Sequence, residues 1–491
     1  MNFKTPEQAG LSSVDIQTFI DFLEKNRFSS HSMVIARGDD IIFEKYWEGF
    51  GPDYLHRQYS ASKSIVGIAV GFAIQDGYFS LDDKMIDLFP KELENQPDEN
   101  IRNQTVRNML MMSTSHIDRG WFAGHTTTDR VQHYFDSHDP ATSHPAGTVF
   151  CYDSEGSFVL GALVERKVGK PFMEYLREKL FDKIGVSKEA YCLKCPGGHS
   201  WGDSAVVCSS RDLLLMVRFM LNGGKWNGEQ LLDEKYVRDA TSCLTMIGDM
   251  NEYTADRRGY GYLIWQTYDN GWFFNGMGSQ FGIAVPDKDL IMVYNADNQG
   301  MSHKEPIIGG FFNMIARKVQ DGPLPENPEA LAEASKTLPL MTAKGEMTSP
   351  WAEKINGVTY RLSENNPMGI TKLAVHLKGD EGEMRYTNAQ GDKVIRFGFG
   401  KNIFEDQFPQ EGYSDDVGGV DTKNYYYKYA ASAAWTNPWQ LHLKVQIVDK
   451  YFGRLDIILS FAEGGGLTVH MTKTAEDFLN EYKGWAQGRA E

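Results

Sequence analysis

The stretch Ser60-Ala61-Ser62-Lys63 opens an apolar run that extends from Ser64 to Ile74. A run without a polar face predicts a helix that is buried on all sides. Because residues three apart share one face of a helix, we expect the Ser60 hydroxyl and the Lys63 amine at one site near the helix N-terminus. A serine hydroxyl within reach of a lysine amine is typical of nucleophilic catalysis. This stretch therefore predicts an acyl-transferring serine hydrolase.

The surroundings of Lys63 favour this interpretation. A helix N-terminus carries positive potential, which stabilises negative charge that develops on Ser60. Burial of the amine against Ile65 and its apolar neighbours favours the neutral form, and a neutral amine can accept the serine proton. The alternative is that Ser60 is an ordinary helix cap followed by a lysine in the first turn.

A second candidate element is the loop at residues 145–156, which leads to a helix predicted to begin at Ser157. Tyr152 and Ser154 lie two residues apart in this loop, so an extended backbone presents both to the same side. A tyrosine hydroxyl close to a lysine can hold or relay a proton. The alternative is a tyrosine that packs within the loop.

The third candidate element is Asn275-Gly276-Met277-Gly278, which follows an aromatic β-rich run. Glycines in a strand let a ligand approach the backbone closely. A strand edge here would supply one N–H group of an oxyanion hole, and the N–H of Ser60 would supply the other. The alternative is a glycine-rich hairpin turn between two strands.

The order of the predicted elements indicates an α+β fold. Two short β-rich runs flank Gly38-Asp39-Asp40 and predict a hairpin, and further strands return between Tyr262 and Tyr294. Strand pairs joined by hairpins imply an antiparallel sheet flanked by helices. We therefore predict a first domain over residues 1–320.

A proline-containing break follows, and the pattern then changes. Residues 441–447 and 467–472 alternate strictly between apolar and polar. Many short alternating strands separated by turns are typical of a small antiparallel barrel. We predict a linker at residues 321–346 and a smaller all-β, barrel-like domain at residues 347–491.

Together these residues resemble a known family. The chain resembles the serine beta-lactamase and penicillin-binding-protein superfamily, in its class C-like, esterase-like branch, from about Thr5 to Asn295. The resemblance rests on an ordered series of segments: Tyr59 to Ser64, Leu81 to Lys84, Thr105 to Ser113, the Tyr152 loop, Asn222 to Gly228 and Pro286 to Leu290. It implies a beta-lactamase/transpeptidase-like fold. It also implies that Ser60 is the acylated nucleophile, with Lys63 and Tyr152 as general base and general acid.

Two departures from the family pattern bear on the substrate. The usual Tyr-x-Asn is Tyr152-Asp153-Ser154 here, and Phe274-Asn275-Gly276 stands where Lys-Thr-Gly or His-x-Gly is usual. The resemblance without that cation implies a small ester or amide that lacks the carboxylate of a β-lactam or peptide. Two alternatives stay open: a beta-lactamase or D-amino-acid peptidase, and a catalytically silent ligand-binding member of the family.

The composition and net charge disfavour some classes of binding partner. The net charge of −16, with no run rich in Lys or Arg, disfavours nucleic acid and an anionic membrane surface. The N-terminus lacks an apolar signal core, and the five cysteines fit reduced thiols, so we expect a cytoplasmic location. The expected partner is a small-molecule substrate, and association with further copies of the chain is left open.

We expect neither a metal nor a cofactor. The candidate ligands are five histidines clustered between the motifs, and no pair of them has the HExxH spacing of a zinc site. These histidines are His116, His125, His133, His138 and His144.

Overall fold

The computed structural model describes residues 1–115, 129–195, 197–247, 258–301, 303–409, 426–475, 479 and 482–491. The chain divides into two compact units. The first comprises the described residues of Met1–Tyr46 and Gly51–Lys336, and the second comprises Trp47–Phe50 and the described residues from Thr337 onward. The predicted linker at 321–346 is thus divided between the two units, and independent folding of residues 1–320 and 347–491 stays a prediction.

The first unit is built on a seven-stranded sheet. The strands described in this unit are β1 Asn2–Phe3, β2 Ser30–Arg37, β3 Asp40–Tyr46, β4 Leu55–Arg57, β5 Tyr191–Cys192, β6 Val206–Ser209, β7 Lys225–Trp226, β8 Glu229–Gln230, β9 Trp265–Gln266, β10 Trp272–Gly276, β11 Gln280–Val285 and β12 Leu290–Ala296. The strand order in the large sheet is β1-β3-β2-β12-β11-β10-β9. Strands β4, β6 and β5 form a small separate sheet, and β4 lies shortly before Ser60 in the sequence.

The large sheet is mixed, which corrects the prediction of an antiparallel sheet. Strand β1 pairs in parallel with β3, with Asn2 opposite Asp40 and Phe3 opposite Ile41. The chain passes through a helix and β2 before it reaches β3, so no hairpin forces β1 to run antiparallel. The other pairs in this sheet are antiparallel, including the predicted hairpin of β2 and β3.

Helices cover both faces of the sheet. Gly282 of β11 faces Leu213 and Val217, whereas the ring of the preceding Phe281 stacks on His303. Because successive side chains of a strand point to opposite faces, these contacts lie on the two sides of the sheet. The described helices are α1 Ser13–Lys25, α2 Ser62–Gln75, α3 Met85–Leu88, α4 Glu99–Asn103, α5 Val106–Leu110, α6 Arg130–Asp136, α7 Ser154–Val168, α8 Phe172–Leu176, α9 Asp182–Ile184, α10 Ser210–Leu221, α11 Glu234–Ala240, α12 Lys304–Met314, α13 Pro328–Ala334 and, in the second unit, α14 Ala352–Ile355.

Helix α2 is the buried helix that the sequence predicts. Every residue from Ser62 to Ala73 is buried, and α2 packs along α7. Tyr236 donates its hydroxyl proton to the carbonyl oxygen of Gly67 at 2.6 Å, which ties α2 to α11. The residues at the start of α2 are therefore held inside the unit. Among the described residues, no helix is long and apolar enough to cross a membrane.

The second unit is a β-barrel. Its strands are β13 Thr359–Leu362, β14 Lys372–Lys378, β15 Glu381–Asn388, β16 Gly391–Phe399, β17 Ile403–Glu405, β18 Tyr429–Asn437, β19 Gln440–Ile447, β20 Arg454–Ala462, β21 Gly466–Thr474 and β22 Gly484–Ala490. Neighbouring strands along this sheet are antiparallel. The sheet closes through a parallel pairing of β16 with β18, where Gly398 lies opposite Ser432 and Phe399 opposite Ala433. Closure removes the open edges that an antiparallel sheet of this length would expose.

Candidate active site

Ser60 lies on a tight turn directly before α2. Tyr59, Ser60 and Ala61 form one 3-10 turn, and α2 begins at Ser62. Tyr59 has a φ of 46°, which is unusual for a bulky residue and costs conformational energy. The turn thus presents Ser60 ahead of the helix, while α2 carries Lys63.

Lys63 contacts the nucleophile candidate directly. Its Nζ donates to Ser60 Oγ at 3.1 Å and to the carbonyl oxygen of Asp203 at 2.7 Å. The lysine is only 1% exposed, so its amine is held at a fixed place in the protein interior. The distance to Ser60 is within the range for proton transfer between a nucleophile and its base.

Tyr152 lies close to the same lysine. The Nζ of Lys63 is 5.1 Å from the centroid of the Tyr152 ring, and Trp265 of β9 stacks on that ring at 5.6 Å. The nearby Tyr260 is fully buried, and this burial, together with the proximity of Tyr152, raises its pKa well above the ordinary value. Tyr260 therefore stays a neutral phenol, and the ring of Tyr152 lies close to the Lys63 amine.

Asp153 and Ser154 belong to the start of α7. The helix begins at Ser154, three residues earlier than the sequence predicts. The reason is Asp153, whose Oδ1 accepts a hydrogen bond from the N–H of Gly156 at 2.7 Å and so caps the helix. Its Oδ2 accepts a hydrogen bond from the hydroxyl of Tyr134 at 3.2 Å. Ser154 thus stands in the first turn of α7, next to the loop residue Tyr152.

The end of β10 packs against the Ser60 turn. A Cβ atom added to Gly276 would lie 2.2 Å from the carbonyl oxygen of Gln58 and 3.3 Å from the backbone nitrogen of Ala61. Asn275 and Gly276 are the last residues of β10, and Met277 and Gly278 form the turn into β11. The structure therefore brings this predicted oxyanion segment to the backbone on both sides of Ser60.

A buried amide network that sequence reasoning missed connects the same two segments. Asn295 donates through Nδ2 to Gln58 Oε1 at 3.3 Å and to Gln280 Oε1 at 2.9 Å. Gln280 in turn donates through Nε2 to the carbonyl oxygen of Met277 at 3.2 Å. All three amide side chains are buried, so the network fixes the turn before Ser60 relative to the loop that carries Met277. A lone Gln or Asn in a sequence carries no signal for such long-range pairing.

We predict that Gly276→Ala slows acylation about 100-fold while the protein stays folded, because the new methyl group displaces the Ser60 turn from β10. The second-order rate of labelling by a fluorophosphonate probe measures the effect, and circular dichroism checks the fold. Gly322→Ala is the matched control, since a Cβ at Gly322 meets no atom within 4 Å. A folded Gly276→Ala protein that labels at the wild-type rate would contradict the predicted contact.

Three of the five histidines, His133, His138 and His144, lie in the described residues, and the backbone N–H of His144 donates to the carbonyl oxygen of Ser115 at 3.1 Å. His138 pairs with Asp98 through Nε2 at 2.8 Å, and His133 lies on α6. His116 and His125 lie outside the described residues. Within the ranges that the structure covers, no three His, Cys, Asp or Glu side chains are arranged to hold a metal ion.

Comparison with known proteins identifies the family of this fold. A family model described as Beta-lactamase matches residues 16–306, which is more than half of the chain. The chain belongs to the beta-lactamase family. The matched region contains the turn of Ser60, helix α2, the Tyr152 loop and the end of β10, so the contacts described above lie within the shared domain.

Two relatives of this beta-lactamase family member illustrate the range of similarity. The 6-aminohexanoate-dimer hydrolase of Paenarthrobacter ureafaciens is 24% identical over 277 residues, which cover 53% of this chain and 68% of that protein. The octameric penicillin-binding protein homologue from Pyrococcus abyssi is 14% identical with a TM-score of 0.50. The latter likeness covers 96% of this chain and 99% of that one, so the similarity in fold extends beyond the region matched by the family model.

Proposed function

We propose that this protein is a serine hydrolase that cleaves a small ester or amide through a covalent acyl-enzyme on Ser60. The observation that carries the proposal is the 3.1 Å contact between the buried Lys63 Nζ and Ser60 Oγ. Tyr152 beside the lysine and the end of β10, which packs against the turn of Ser60, supply the further groups that acyl transfer requires. Among these residues Lys63 and Tyr152 share the general-base and general-acid work.

The proposed reaction has two halves. In the first, Lys63 accepts the proton of Ser60 Oγ as this oxygen attacks the carbonyl carbon, and the N–H groups of Ser60 and Met277 stabilise the oxyanion. Lys63 and Tyr152 then return the proton to the leaving alcohol or amine, and the acyl group stays on Ser60. In the second half, water attacks the acyl carbonyl with the same groups as base and acid.

The similarity to a relative named as a 6-aminohexanoate-dimer hydrolase favours an amide substrate. The absence of a lysine or histidine in Phe274-Asn275-Gly276 speaks against the carboxylate recognition of a β-lactamase or D-amino-acid peptidase. Ser154, which stands at the position of the family's Asn, would contact the acyl side of the substrate through its hydroxyl. A catalytically silent binding protein is the least favoured reading, because Ser60, Lys63 and Tyr152 are all in place.

A comparison of three substrates tests the proposal. We expect purified protein to hydrolyse p-nitrophenyl butyrate and an N-acyl p-nitroanilide, and to turn over nitrocefin more slowly than either. Intact-mass spectrometry after brief incubation with the ester should detect one acyl adduct, located at Ser60 by peptide mapping. Preferred turnover of nitrocefin would favour the beta-lactamase alternative, and a protein that neither turns over nor labels would favour the silent one.

Two further parts of the proposal concern the chain as a whole. We propose that residues 1–320 and 347–491 fold as separate domains joined by 321–346 and that the protein acts in the cytoplasm; association with further copies of the chain stays open. The octameric state belongs to the relative from Pyrococcus abyssi. Size-exclusion chromatography with light scattering gives the state of this chain, and limited proteolysis tests the domain limits.

A further inference from the structure

A buried carboxylate lies beside the proposed catalytic lysine. Asp203 is 0% exposed, and neither of its carboxylate oxygens has a hydrogen-bond partner among the described residues. Its backbone carbonyl oxygen accepts the 2.7 Å hydrogen bond from Lys63 Nζ. A buried carboxylate without hydrogen bonds is costly unless nearby cations compensate for it. The position of Asp203 therefore calls for a functional or electrostatic explanation.

Two arginines contact residues on either side of Asp203. The guanidinium carbons of Arg57 and Arg130 lie 4.5 and 5.5 Å from the centroid of the Trp201 ring. Arg57 also donates through Nε to the carbonyl oxygen of Ser204 at 2.9 Å and through Nη2 to Ser204 Oγ at 3.1 Å. The Asp203 carboxylate interacts with both of these guanidinium groups and with the amine of Lys63.

The same segment is docked on the catalytic helix. A Cβ added to Gly202 would lie 2.7 Å from Cγ2 of Val66, so the backbone of residues 201–204 approaches α2 as closely as a glycine allows. Val66 follows Lys63 by three residues and shares its face of α2. The position of Asp203 relative to Lys63 is therefore set by packing on one rigid helix.

The charge state of the carboxylate follows from this environment. Burial raises the pKa of Asp203 to about 6, whereas Lys63, Arg130 and Arg57 act to lower it. The carboxylate is therefore ionised above about pH 6 and neutral below it. The thiols of Cys192 and Cys195 also face this group, and burial raises the pKa of each well above its ordinary value, so they stay neutral.

We propose that Asp203 is a positioning residue that acts through Lys63, as the third member of a Ser60–Lys63–Asp203 unit. When Lys63 takes the proton of Ser60, a third positive charge forms beside Arg57 and Arg130. The Asp203 carboxylate stabilises that ammonium group, and its backbone carbonyl fixes the direction of the amine. The inference rests on the proposed function, in which Lys63 is the base for Ser60.

The proton and charge balance of the step is simple. A proton leaves Ser60 Oγ for Lys63 Nζ, the Oγ–carbonyl bond forms, and the carbonyl π electrons move to the oxyanion. The neutral pair becomes an ammonium and an oxyanion, while Asp203 keeps its negative charge throughout. When the tetrahedral intermediate collapses, the proton goes to the leaving group and Lys63 is neutral again.

Asp203→Asn tests the proposal, because it removes the charge and keeps the size of the side chain and the backbone carbonyl. The measurement is the rate of fluorophosphonate labelling at Ser60 from pH 5 to pH 10. The acidic limb of this pH–rate profile is the range in which the rate rises with pH as Lys63 loses its proton. Loss of the negative charge makes the Lys63 ammonium harder to form, so the acidic limb should shift to lower pH by about one unit. A weaker base also lowers the plateau rate, by about 3- to 10-fold. If Asp203 had only a structural role, Asp203→Asn would lower the plateau rate and leave the acidic limb at the wild-type pH.

Arg130→Gln provides an independent test of opposite sign. This variant removes a positive charge from the cluster, so the ammonium forms more easily and the acidic limb should move to higher pH. The matched control is Asp212→Asn, which removes a buried carboxylate that caps α10 and accepts hydrogen bonds from Ser209 and Ser187. The control should lower the melting temperature and leave the limb where it is.

The outcomes separate this inference from the proposed function. Opposite limb shifts in the Asp203 and Arg130 variants support it. An unmoved limb in a folded Asp203→Asn protein that labels at Ser60 overturns the role of Asp203 and leaves the hydrolase intact. If Asp203→Asn does not fold, Asp203→Ser takes its place, and an acidic limb at the wild-type pH in the folded Asp203→Ser protein overturns the role. A wild type that labels at no serine, or equally after Ser60→Ala, overturns the proposed function and this inference with it.

Discussion

Ser60→Ala is expected to abolish both turnover and covalent labelling. Removal of a serine nucleophile costs on the order of 10⁶-fold in turnover where the other groups act only with it. The fold should be unaffected, because Ser60 lies on the turn before α2 and the cap position of the helix is Ala61. The change therefore removes no helix cap, and the free energy of unfolding should change by at most about 1 kcal/mol.

The structure offers a matched control within the same motif. Ser62 Oγ accepts a hydrogen bond from the backbone N–H of Val206 at 3.0 Å and lies away from the Ser60–Lys63 contact. Ser62→Ala should lower the free energy of unfolding by about 1 to 3 kcal/mol, since it leaves a buried N–H unpaired, and should still label at Ser60. Mass spectrometry of the ester adduct and thermal unfolding measure the two effects. An adduct at a serine other than Ser60 would contradict the assignment.

The predictable part of the site is the part that is local in sequence. Ser60 and Lys63 are three residues apart, so the geometry of one helical turn brings them together wherever α2 lies. Tyr152 and Gly276 were candidates from the residues of their own segments, but no spacing in the sequence links those segments to Ser60, and only the resemblance to a family joined them into one site. Their proximity to the Ser60 turn depends on the packing of α7 and β10 against α2.

The missed residues all act through long-range contacts. Asp203 reaches Lys63 across 140 positions of the chain, and Asn295 reaches Gln58 across 237. No periodicity or spacing in the sequence records such pairs. Trp265 is a similar case, because a single tryptophan in a short strand gives no indication that it stacks on Tyr152.

The sequence predicted those helices and strands whose apolar residues form a pattern over consecutive positions. Strict alternation at residues 441–447 predicted strand β19, and the apolar run predicted α2. The parallel pairing of β1 with β3 rests on two residue pairs, Asn2 with Asp40 and Phe3 with Ile41, too few to leave a pattern. The start of α7 was misplaced because the capping role of Asp153 depends on a side-chain hydrogen bond to Gly156.

Lys63→Met and Tyr152→Phe should each slow acylation about 10² to 10⁴-fold, which is the usual range for loss of a general base or acid. The two effects should not multiply, because both groups move the same proton. Lys63→Arg should fail as severely as Lys63→Met, since a guanidinium does not release its proton at workable pH. Single-turnover acylation by p-nitrophenyl butyrate measures the rate constants.

The control for these variants is Lys45→Met. Lys45 is a second buried lysine of the same unit, and its Nζ donates to the carbonyl oxygen of Ala334 at 3.0 Å and to that of Lys336 at 2.5 Å. Its replacement should lower the melting temperature and leave acylation unchanged, because it lies outside the Ser60 site. If the loss in the Lys63–Tyr152 double variant equals the product of the single losses, the two residues act independently and the shared proton path is wrong. If Lys63→Arg retains wild-type acylation, Lys63 serves as a fixed positive charge, and Tyr152 must be the base for Ser60.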